Sequence, residues 1–564
     1  MSGPTTLYSD QLHAKKYRGK GESFREAMNR VASTLKDNDA HWRELRDILL
    51  DMRFLPGGRI QSAIGATKSV TAYNCYVSGS IDDSFVEGPG SIMQRALEAA
   101  TTMRMGGGIG YDFSPLRPRG TMVRKLQSQS SGPVSFMEIF DAVCRCIASS
   151  GHRRGAQMGV LRIDHPDIEE FIHAKQNSNR LTGFNVSVAV TDAFMAALKA
   201  DTEFDLVWEG QIHKTISATA LWETIMRSTW DWAEPGVLFI DTINRMNNLW
   251  YCETISTTNP CGEQPLPPDG ACLLGSVNLV KYLIESLGKF YLDLDQLAAD
   301  IEPIVRAMDN VINVARYPLR AQELEAKSKR RMGIGITGLA NALEACGHPY
   351  GSPNFLLMEN EILSLITKKC YQTSAYLADE KGSFPQYKNH FYGKQGFVST
   401  LDEETLDMIS KFGIRNSHLT SIAPTGTISL CADNVSSGIE PVFAHKAERT
   451  VQEFDGETTV EVWDYGLSEL QVHGKTSEEV TIDEHLGVLL TAQRNVDSSV
   501  SKTLNVPAST LWEDFKNIYL RAYEGGAKGC TTYKVGGRRE GIIKKVEDAS
   551  CKIDLSTGIR SCDD

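Results

Sequence analysis

Short apolar runs that alternate with amphipathic stretches along most of the chain constrain its fold more than any other feature. The run Asn185-Val-Ser-Val-Ala-Val190 has the composition of a buried strand, and Thr191 or Asp192 then stands ready to cap a helix over 193–199. Val160-Leu-Arg-Ile163 is a second such run, followed by Pro166 where the first turn of a helix would accept it. Residues 237–240, 275–279 and 421–423 read as further strands. Strands and helices in alternation predict an α/β domain over most of the chain. Ahead of it, residues 22–35 and 41–54 carry apolar side chains at three- and four-residue intervals and predict helices. Residues 448–480 read as a β-hairpin excursion that turns at Asp455-Gly456. After Thr531-Thr532-Tyr533 the chain becomes rich in glycine and charge, which predicts a flexible tail.

Composition removes several function classes. The 564 residues are 41% hydrophobic and 23% charged, enough for a large core and unlike a disordered or fibrous chain. Lys plus Arg number 59 against 71 Asp plus Glu, a net charge of −12, so no overall basic field exists to hold a nucleic-acid polymer. No basic segment followed by an apolar run opens the chain, and no apolar stretch is long enough to span a bilayer. A cytoplasmic protein without membrane contact is expected. The 12 cysteines are scattered and form no C-x-x-C, which argues against a disulfide framework and against paired zinc knuckles. Metal ligation by protein side chains is not expected. Buried thiols and a redox or radical set are the readings that remain.

Four segments carry chemical signals. Gly333-Ile-Gly335-Ile-Thr-Gly338 matches G-x-G-x-x-G, but the charged stretch 326–332 before it is no strand, which argues against dinucleotide binding. Asp483-Glu-His485-Leu-Gly487 is one residue short of a D-x-H-x-x-G cobalamin-ligating pattern and reads as a loop before a helix. Ala423-Pro-Thr-Gly-Thr-Ile-Ser429 follows a predicted strand, so its amides and the hydroxyls of Thr425, Thr427 and Ser429 could cradle a phosphate. The densest signal is Thr258-Asn259-Pro260-Cys261-Gly262-Glu263, with Cys272 eleven residues beyond Cys261. In an extended loop, residues two apart point the same way, so Asn259, Cys261 and Glu263 would converge on one ligand as amide, sulfur and general base. An ordinary loop with an incidental cysteine is the alternative that these residues alone leave open.

The Asn-Pro-Cys-Gly-Glu loop, followed by Gly270-Ala-Cys272-Leu-Leu-Gly275-Ser-Val-Asn278, resembles the active-site finger loop of ribonucleotide reductases, specifically the adenosylcobalamin-dependent class II enzymes. The likeness extends over Phe54-Leu-Pro-Gly-Gly-Arg59, Asn74-Cys75, Gly106-Gly-Gly-Ile-Gly110, Arg153-Arg-Gly-Ala-Gln-Met-Gly159, residues 165–171, 330–338 and 423–429, and Ser437-Gly-Ile-Glu-Pro441. It implies a ten-stranded α/β barrel of two parallel half-sheets around a central finger loop. The expected division is a helical region over 1–60, the barrel over 61–535 with the hairpin insertion near 448–480, and a tail over 536–564.

The resemblance also implies roles. Cys261 would carry the thiyl radical that abstracts the ribose 3′-hydrogen, Glu263 would be the base for the 3′-hydroxyl, and Asn259 would hold a substrate hydroxyl. Cys75 and Cys272 would deliver two electrons and close into a disulfide, which needs their Cα atoms within roughly 4.4–6.8 Å. Asn74 and Gly108 would line the substrate site with these residues, and Pro424, Thr425, Gly426, Thr427 and Ile428 would bind the phosphates. Asp83, Ser84, Arg117, Arg153, Arg154 and Gln157 would serve a deoxynucleotide effector. Cys551 and Cys562 would shuttle electrons from a thioredoxin or glutaredoxin-type reductant. Thr531-Thr532-Tyr533 is followed by Lys534, so the Tyr-Tyr relay of class I is missing, and the glycyl-radical motif and four-cysteine zinc site of class III do not occur. Adenosylcobalamin is therefore the expected radical source. The stretch before the finger loop is too short for the family's ATP-cone, so overall activity control is not expected. Diphosphate or triphosphate substrate, and monomer or homodimer, stay open.

Overall fold

The computed structural model describes residues 3–124, 126–149, 153–154, 156–176, 180–453, 456–534, 552–554 and 559–561. Ten strands build its large sheet: β1 Phe54–Pro56, β2 Cys75–Val77, β3 Gly108–Asp112, β4 Gln157–Arg162, β5 Phe184–Val190, β6 Gly236–Phe239, β7 Ala271–Asn278, β8 Met332–Thr337, β9 Thr503–Val506 and β10 Gly529–Lys534. Strands β2 to β6 pair side by side in sequence order, and each of the four pairings is parallel. Helices occupy the connections, as parallel crossovers require.

The sheet closes on itself. On one flank β2 pairs antiparallel with β7, which pairs parallel with β8. Ile334 of β8 bridges in parallel to Thr420, and Ile422 bridges in parallel to Val500, at the start of the segment that continues into β9. Strand β9 pairs parallel with β10, and β10 returns antiparallel to β6. Two five-stranded parallel halves, the second completed by residues 419–422 and the segment through β9, thus form a ten-stranded α/β barrel. The far end of β7 also receives β1, antiparallel, outside this ring.

Alternation along the strands sorts side chains between the barrel's interior and the helical layer. Tyr76, Tyr111, Leu161, Val188, Phe239, Leu273 and Ile334 join the main core under the helices. Residues of the opposite parity form two small interior clusters: Met158, Val160, Ala189 and Leu238 with their neighbours at one end, and Cys75, Val77, Leu266, Cys272 and Leu274 at the other. On β3 and β8 the interior parity falls on Gly108 and Gly110 and on Gly333 and Gly335. A Cβ on Gly110 would lie 1.8 Å from the Thr258 carbonyl oxygen, and one on Gly335 would lie 2.2 Å from that of Ser421. The G-x-G spacing within β8 therefore serves close backbone approach inside a strand and not a turn that binds phosphate.

Some expectations need correction. The second N-terminal helix ends at Leu50, and Phe54 opens β1, where it pairs with Val277; pairing to the sheet overrides the helical spacing. A further helix, Leu7–Tyr17, precedes the helices Phe24–Leu35 and Asp39–Leu50; these three are α1, α2 and α3. The helix after β4 starts at Ile168, so Pro166 lies ahead of its cap. His485 lies within the helix Ile482–Asn495, fully buried, and not in a loop. Strands Lys446–Glu453 and Gly456–Trp463 form an antiparallel hairpin, while the rest of 448–480 contains the short helix Tyr465–Ser468. Among the described residues no helix is long and apolar enough to cross a membrane.

Because the Thr258 carbonyl is backbone and has little freedom to give way, Gly110→Ala is expected to destabilise the protein by about 1–3 kcal/mol, read as a lower urea midpoint with an unchanged m-value.

Candidate active site

The barrel's interior is entered by a hairpin-like loop whose arms, Thr257–Thr258 and Pro265–Leu266, pair antiparallel. Between them Asn259-Pro260-Cys261-Gly262 forms a tight turn closed by the Gly262 amide donating to the Asn259 carbonyl at 3.1 Å. Pro260, with its fixed φ, suits the second position of such a turn. Cys261 is thereby lifted to the exposed tip, while Asn259 and Glu263 flank it at 1% and 2% exposure. The sequence argument for convergence rested on an extended loop; the structure achieves it with a turn.

The loop is tied down on both sides. Asn185 of β5 donates Nδ2 to the Pro260 carbonyl at 2.9 Å. The Glu263 carbonyl accepts Ser421 Oγ at 3.0 Å and the Ser499 amide at 2.9 Å, from the two segments that complete the second half-sheet. Asn259 Oδ1 accepts the Gln264 amide at 2.9 Å, which fixes the side chain so that Nδ2 donates to Cys75 Sγ at 3.1 Å. Cys75 Sγ in turn donates to Glu263 Oε1 at 3.6 Å, and Glu263 Oε2 has no protein partner.

Cys75 and Cys272 face each other in the register of β2 and β7. Residues opposite each other in an antiparallel pair have Cα atoms about 4.5–5.5 Å apart, a spacing at which a disulfide can form. Both side chains belong to the same interior cluster and both are free thiols. Burial pushes both well above the usual thiol range, for Cys75 with help from the neighbouring Glu263 carboxylate, so they stand as neutral S–H groups. The Glu263 carboxyl is likewise raised by burial, a shift that the hydrogen bonds from Asn259 and Cys75 oppose without cancelling.

Cys75, Asn259, Cys261 and Glu263 line a cavity of about 480 Å³ together with Asn74, Gly108, Pro424, Thr425, Gly426, Thr427 and Ile428, while Cys272, opposite Cys75 in the β2–β7 pairing, does not line it. The 423–429 segment works differently from the sequence expectation. Thr425 Oγ1 accepts the Gly438 amide at 2.7 Å and bonds to Thr337, and Ser429 Oγ bonds to Gly426 and Ser437. Those two hydroxyls serve the fold, which leaves Thr427 and the opening amides of the helix Gly426–Cys431 toward the cavity.

Of the residues assigned to an effector, Asp83, Ser84, Arg117 and Gln157 do not line this cavity. Asp83 and Arg117 pair with each other at 2.6 Å, and Ser84 Oγ accepts the Glu87 amide at 3.0 Å. Gln157 is a core residue: it accepts from Tyr111 Oη at 2.8 Å and donates to the Phe140 carbonyl at 3.3 Å, so its side chain is committed inward. Arg153 and Arg154 form a two-residue strand against Ala148–Ser149, and their side chains lie outside the described residues. So do Cys551 and Cys562.

Sequence reasoning missed the cavity's cations, Lys15, Lys16, Arg59 and Lys68. Arg59 sits in a motif singled out for its resemblance, but nothing in the spacing of the three lysines marks them, since they reach the site only through tertiary packing.

Comparison with known proteins agrees with this geometry. The family model for the ribonucleotide reductase barrel domain matches residues 73–483 and 467–533. The vitamin B12-dependent ribonucleoside-diphosphate reductase of Mycobacterium tuberculosis (strain CDC 1551 / Oshkosh) is 34% identical over 533 residues, covering 89% of this chain and 73% of the relative. The protein of the same name from Thermoplasma acidophilum is 34% identical over 547 residues, covering 91% and 67%. The vitamin B12-dependent ribonucleotide reductase of Streptomyces clavuligerus is 28% identical over 632 residues, covering 95% and 65%. With a closed ten-stranded barrel, a cysteine-tipped loop inside it and a family model that spans most of its length, the chain belongs to the ribonucleotide reductase family.

Proposed function

We propose that the chain reduces ribonucleotides to 2′-deoxyribonucleotides with adenosylcobalamin as the radical source. The observation that carries this reading is the gathering, in one cavity, of an exposed thiol, a buried carboxyl with a spare oxygen, an oriented amide and a buried thiol, Cys75, that faces Cys272 across the strand pairing behind it. The names of the relatives from Mycobacterium tuberculosis and Thermoplasma acidophilum support the cofactor and favour a diphosphate substrate.

The residues fit such a cofactor. Cys261 is exposed while Cys75 and Cys272 are buried, so one sulfur alone of the three is reachable from outside the barrel. A second cavity of about 460 Å³ shares Gly426 with the first, and Pro441, Val442, Phe443, Ala444 and Tyr533 offer a largely apolar wall to hold a flat macrocycle. When bound, adenosylcobalamin supplies a carbon radical by homolysis of its cobalt–carbon bond.

The chain's own residues account for the remaining work. The Cys261 sulfur, as a radical, takes the ribose 3′-hydrogen and returns it at the end. Glu263 Oε2 is available to receive the 3′-hydroxyl proton, and Asn259, held at Oδ1 by the Gln264 amide, keeps Cys75 in place through Nδ2, while Cys75 in turn donates to the carboxyl. The 2′-hydroxyl leaves as water. Cys75 and Cys272 give up two hydrogens in all as their S–S bond forms, one departing with the water and one replacing the hydroxyl at C2′, so atoms and electrons balance.

We infer also that Asp83, Ser84 and Arg117 take a deoxynucleotide effector at a face shared by two copies of the chain. Phe85, Val86, Met93 and Leu97, at 51%, 65%, 40% and 62% exposure, cluster in sequence beside Asp83, and exposed apolar surface of this kind favours coverage by a partner.

Three outcomes are expected. With adenosylcobalamin, dithiothreitol and ribonucleoside diphosphate under anaerobic conditions, the unaltered chain forms deoxynucleotide and Cys261→Ala loses at least ~10⁴-fold in kcat; cobalamin-independent product would overturn the reading. Because the Glu263 carboxyl is raised and the ionised form is the base, kcat/KM falls as pH drops through a pKa above the ordinary 4.5, a limb that Glu263→Gln removes along with most of the activity. The Cys551→Ser, Cys562→Ser protein completes one turnover from its pre-reduced state but loses multiple turnover with thioredoxin while dithiothreitol still supports it.

A further inference from the structure

The charge around the active-site cavity is one-sided. Four cations, Lys15, Lys16, Arg59 and Lys68, line it, against one carboxylate, Glu263, which is buried at the finger loop. This occurs in a chain whose net charge is −12, so the cavity runs against the average field of the molecule. The exposure gradient follows the same axis: Lys15 and Lys68 are exposed and Lys16 and Arg59 half-buried, whereas Asn259 and Glu263 are closed off. A ligand with a neutral polar end and an anionic end would enter with its anion toward the lysines.

Two of these cations come from α1, and the bonds that dock this helix fix the backbone from which they extend. The Thr5 and Thr6 amides both donate to the Asp433 carboxylate, at 2.9 and 3.0 Å. Ser9 Oγ donates to the Leu430 carbonyl at 2.7 Å, on the helix that follows the 423–426 turn. Further along, His13 Nδ1 accepts Arg18 Nε at 3.0 Å, so His13 Nε2 carries the proton and donates to Gln61 Oε1 at 2.8 Å. Gln61 Nε2 then donates to the Pro56 carbonyl at 2.7 Å, beside the Gly57-Gly58-Arg59 wall of the cavity. Tyr17 closes over Gly58 so tightly that a Cβ there would lie 2.5 Å from its ring. Lysines in the last turn of a helix are ordinarily placed to offset the helix dipole; that explanation accounts for their position in α1 but not for an anchoring that joins both ends of the helix to the cavity's two walls.

We infer that Lys15 and Lys16 bind the outermost phosphate of the ribonucleotide's tail, extending the phosphate site past residues 424–428 and making α1 part of the substrate pocket. The inference rests on the cavity being the ribonucleotide site. Paired ammonium groups act here as point charges, so they recognise the number of phosphates and not the base.

The test is equilibrium binding by calorimetry on the full chain, with adenosine, ADP and ATP as probes, for the unaltered protein, Lys15→Gln/Lys16→Gln and Lys15→Arg/Lys16→Arg. In the glutamine variant ADP and ATP are expected to bind about 10-fold or more weakly, with adenosine unchanged and a shallower dependence of affinity on salt. The arginine variant is expected to restore nucleotide affinity to within about 3-fold, which a merely structural role of the lysines in the α1 fold would not require. Equal ADP and ATP affinity in the unaltered and glutamine proteins overturns this inference alone. Equal loss for adenosine and for the nucleotides overturns it too, as the mark of a displaced helix. Failure of the unaltered chain to bind any of the three overturns the inference and the functional reading together.

Discussion

A loop that carries reactive sulfur into the middle of a barrel needs space that a barrel of this size ordinarily fills with its own side chains. Everything at the site follows from how that space is made. On β3 and β8, the strands nearest the loop's arms and its return path, the first two interior positions are glycine, Gly108 and Gly110 and Gly333 and Gly335. Gly110 lets the Thr258 backbone lie directly on the strand, and Gly335 lets residues 419–422 close the second half-sheet. The loop is then clamped by backbone acceptors and short side chains, Asn185 on one half and Ser421 and the Ser499 amide on the other. Both half-sheets must be assembled for the tip to be placed, so the barrel's closure and the position of Cys261 are one structural event.

Strand parity accounts for the thiol pair. In β2 and in β7, interior positions fall on Cys75 and Val77 and on Cys272 and Leu274, and the antiparallel seam between the half-sheets brings the two cysteines into register. A parallel pairing at this seam would stagger them. Burial keeps both as neutral thiols even though the Arg331 guanidinium, itself buried between Glu253 and Glu325, favours the thiolate of Cys272. For hydrogen-atom and proton delivery a protonated thiol is the useful form, and the burial of Cys75 and Cys272 secures it without a dedicated donor.

Legibility in the sequence follows the range of the interaction that determines each feature. Strands β4 and β5 and the Thr191 cap are readable because local apolar runs and capping chemistry decide them. Phe54 is misread as helix because its environment is set by Val277, more than 200 residues away, and the turn at Pro260 is misread as extended because residue parity carries no information on local hydrogen bonding. Likewise the hydroxyls of Thr425 and Ser429 look like phosphate ligands until Gly438 and Ser437 are seen to claim them. The finger-loop motif could be read by resemblance because its residue types cannot be exchanged without losing the chemistry. The cationic side of the cavity could not, since a lysine pair in a polar helix is the commonest of surface features.

The two ends of the cavity solve opposite electrostatic problems. Its floor must be free of fixed charge that would stabilise water or ions near the sulfur, and it contains one carboxyl, whose pKa burial raises. Its mouth must attract an anion to a protein that is itself anionic, and it does so with side chains of which two are exposed and two half-buried, whose charges cost little to maintain in water. Were the cations placed on the floor, they would raise the polarity around Cys261 and shift the protonation of Glu263, Cys75 and Cys272 together, because these three groups are already within mutual electrostatic reach. Separating binding charge from reacting groups along the depth of one cavity lets the same protein hold a polyphosphate tightly and still keep its thiols neutral, and α1, fastened at both ends to the walls it bridges, supplies half of that binding charge.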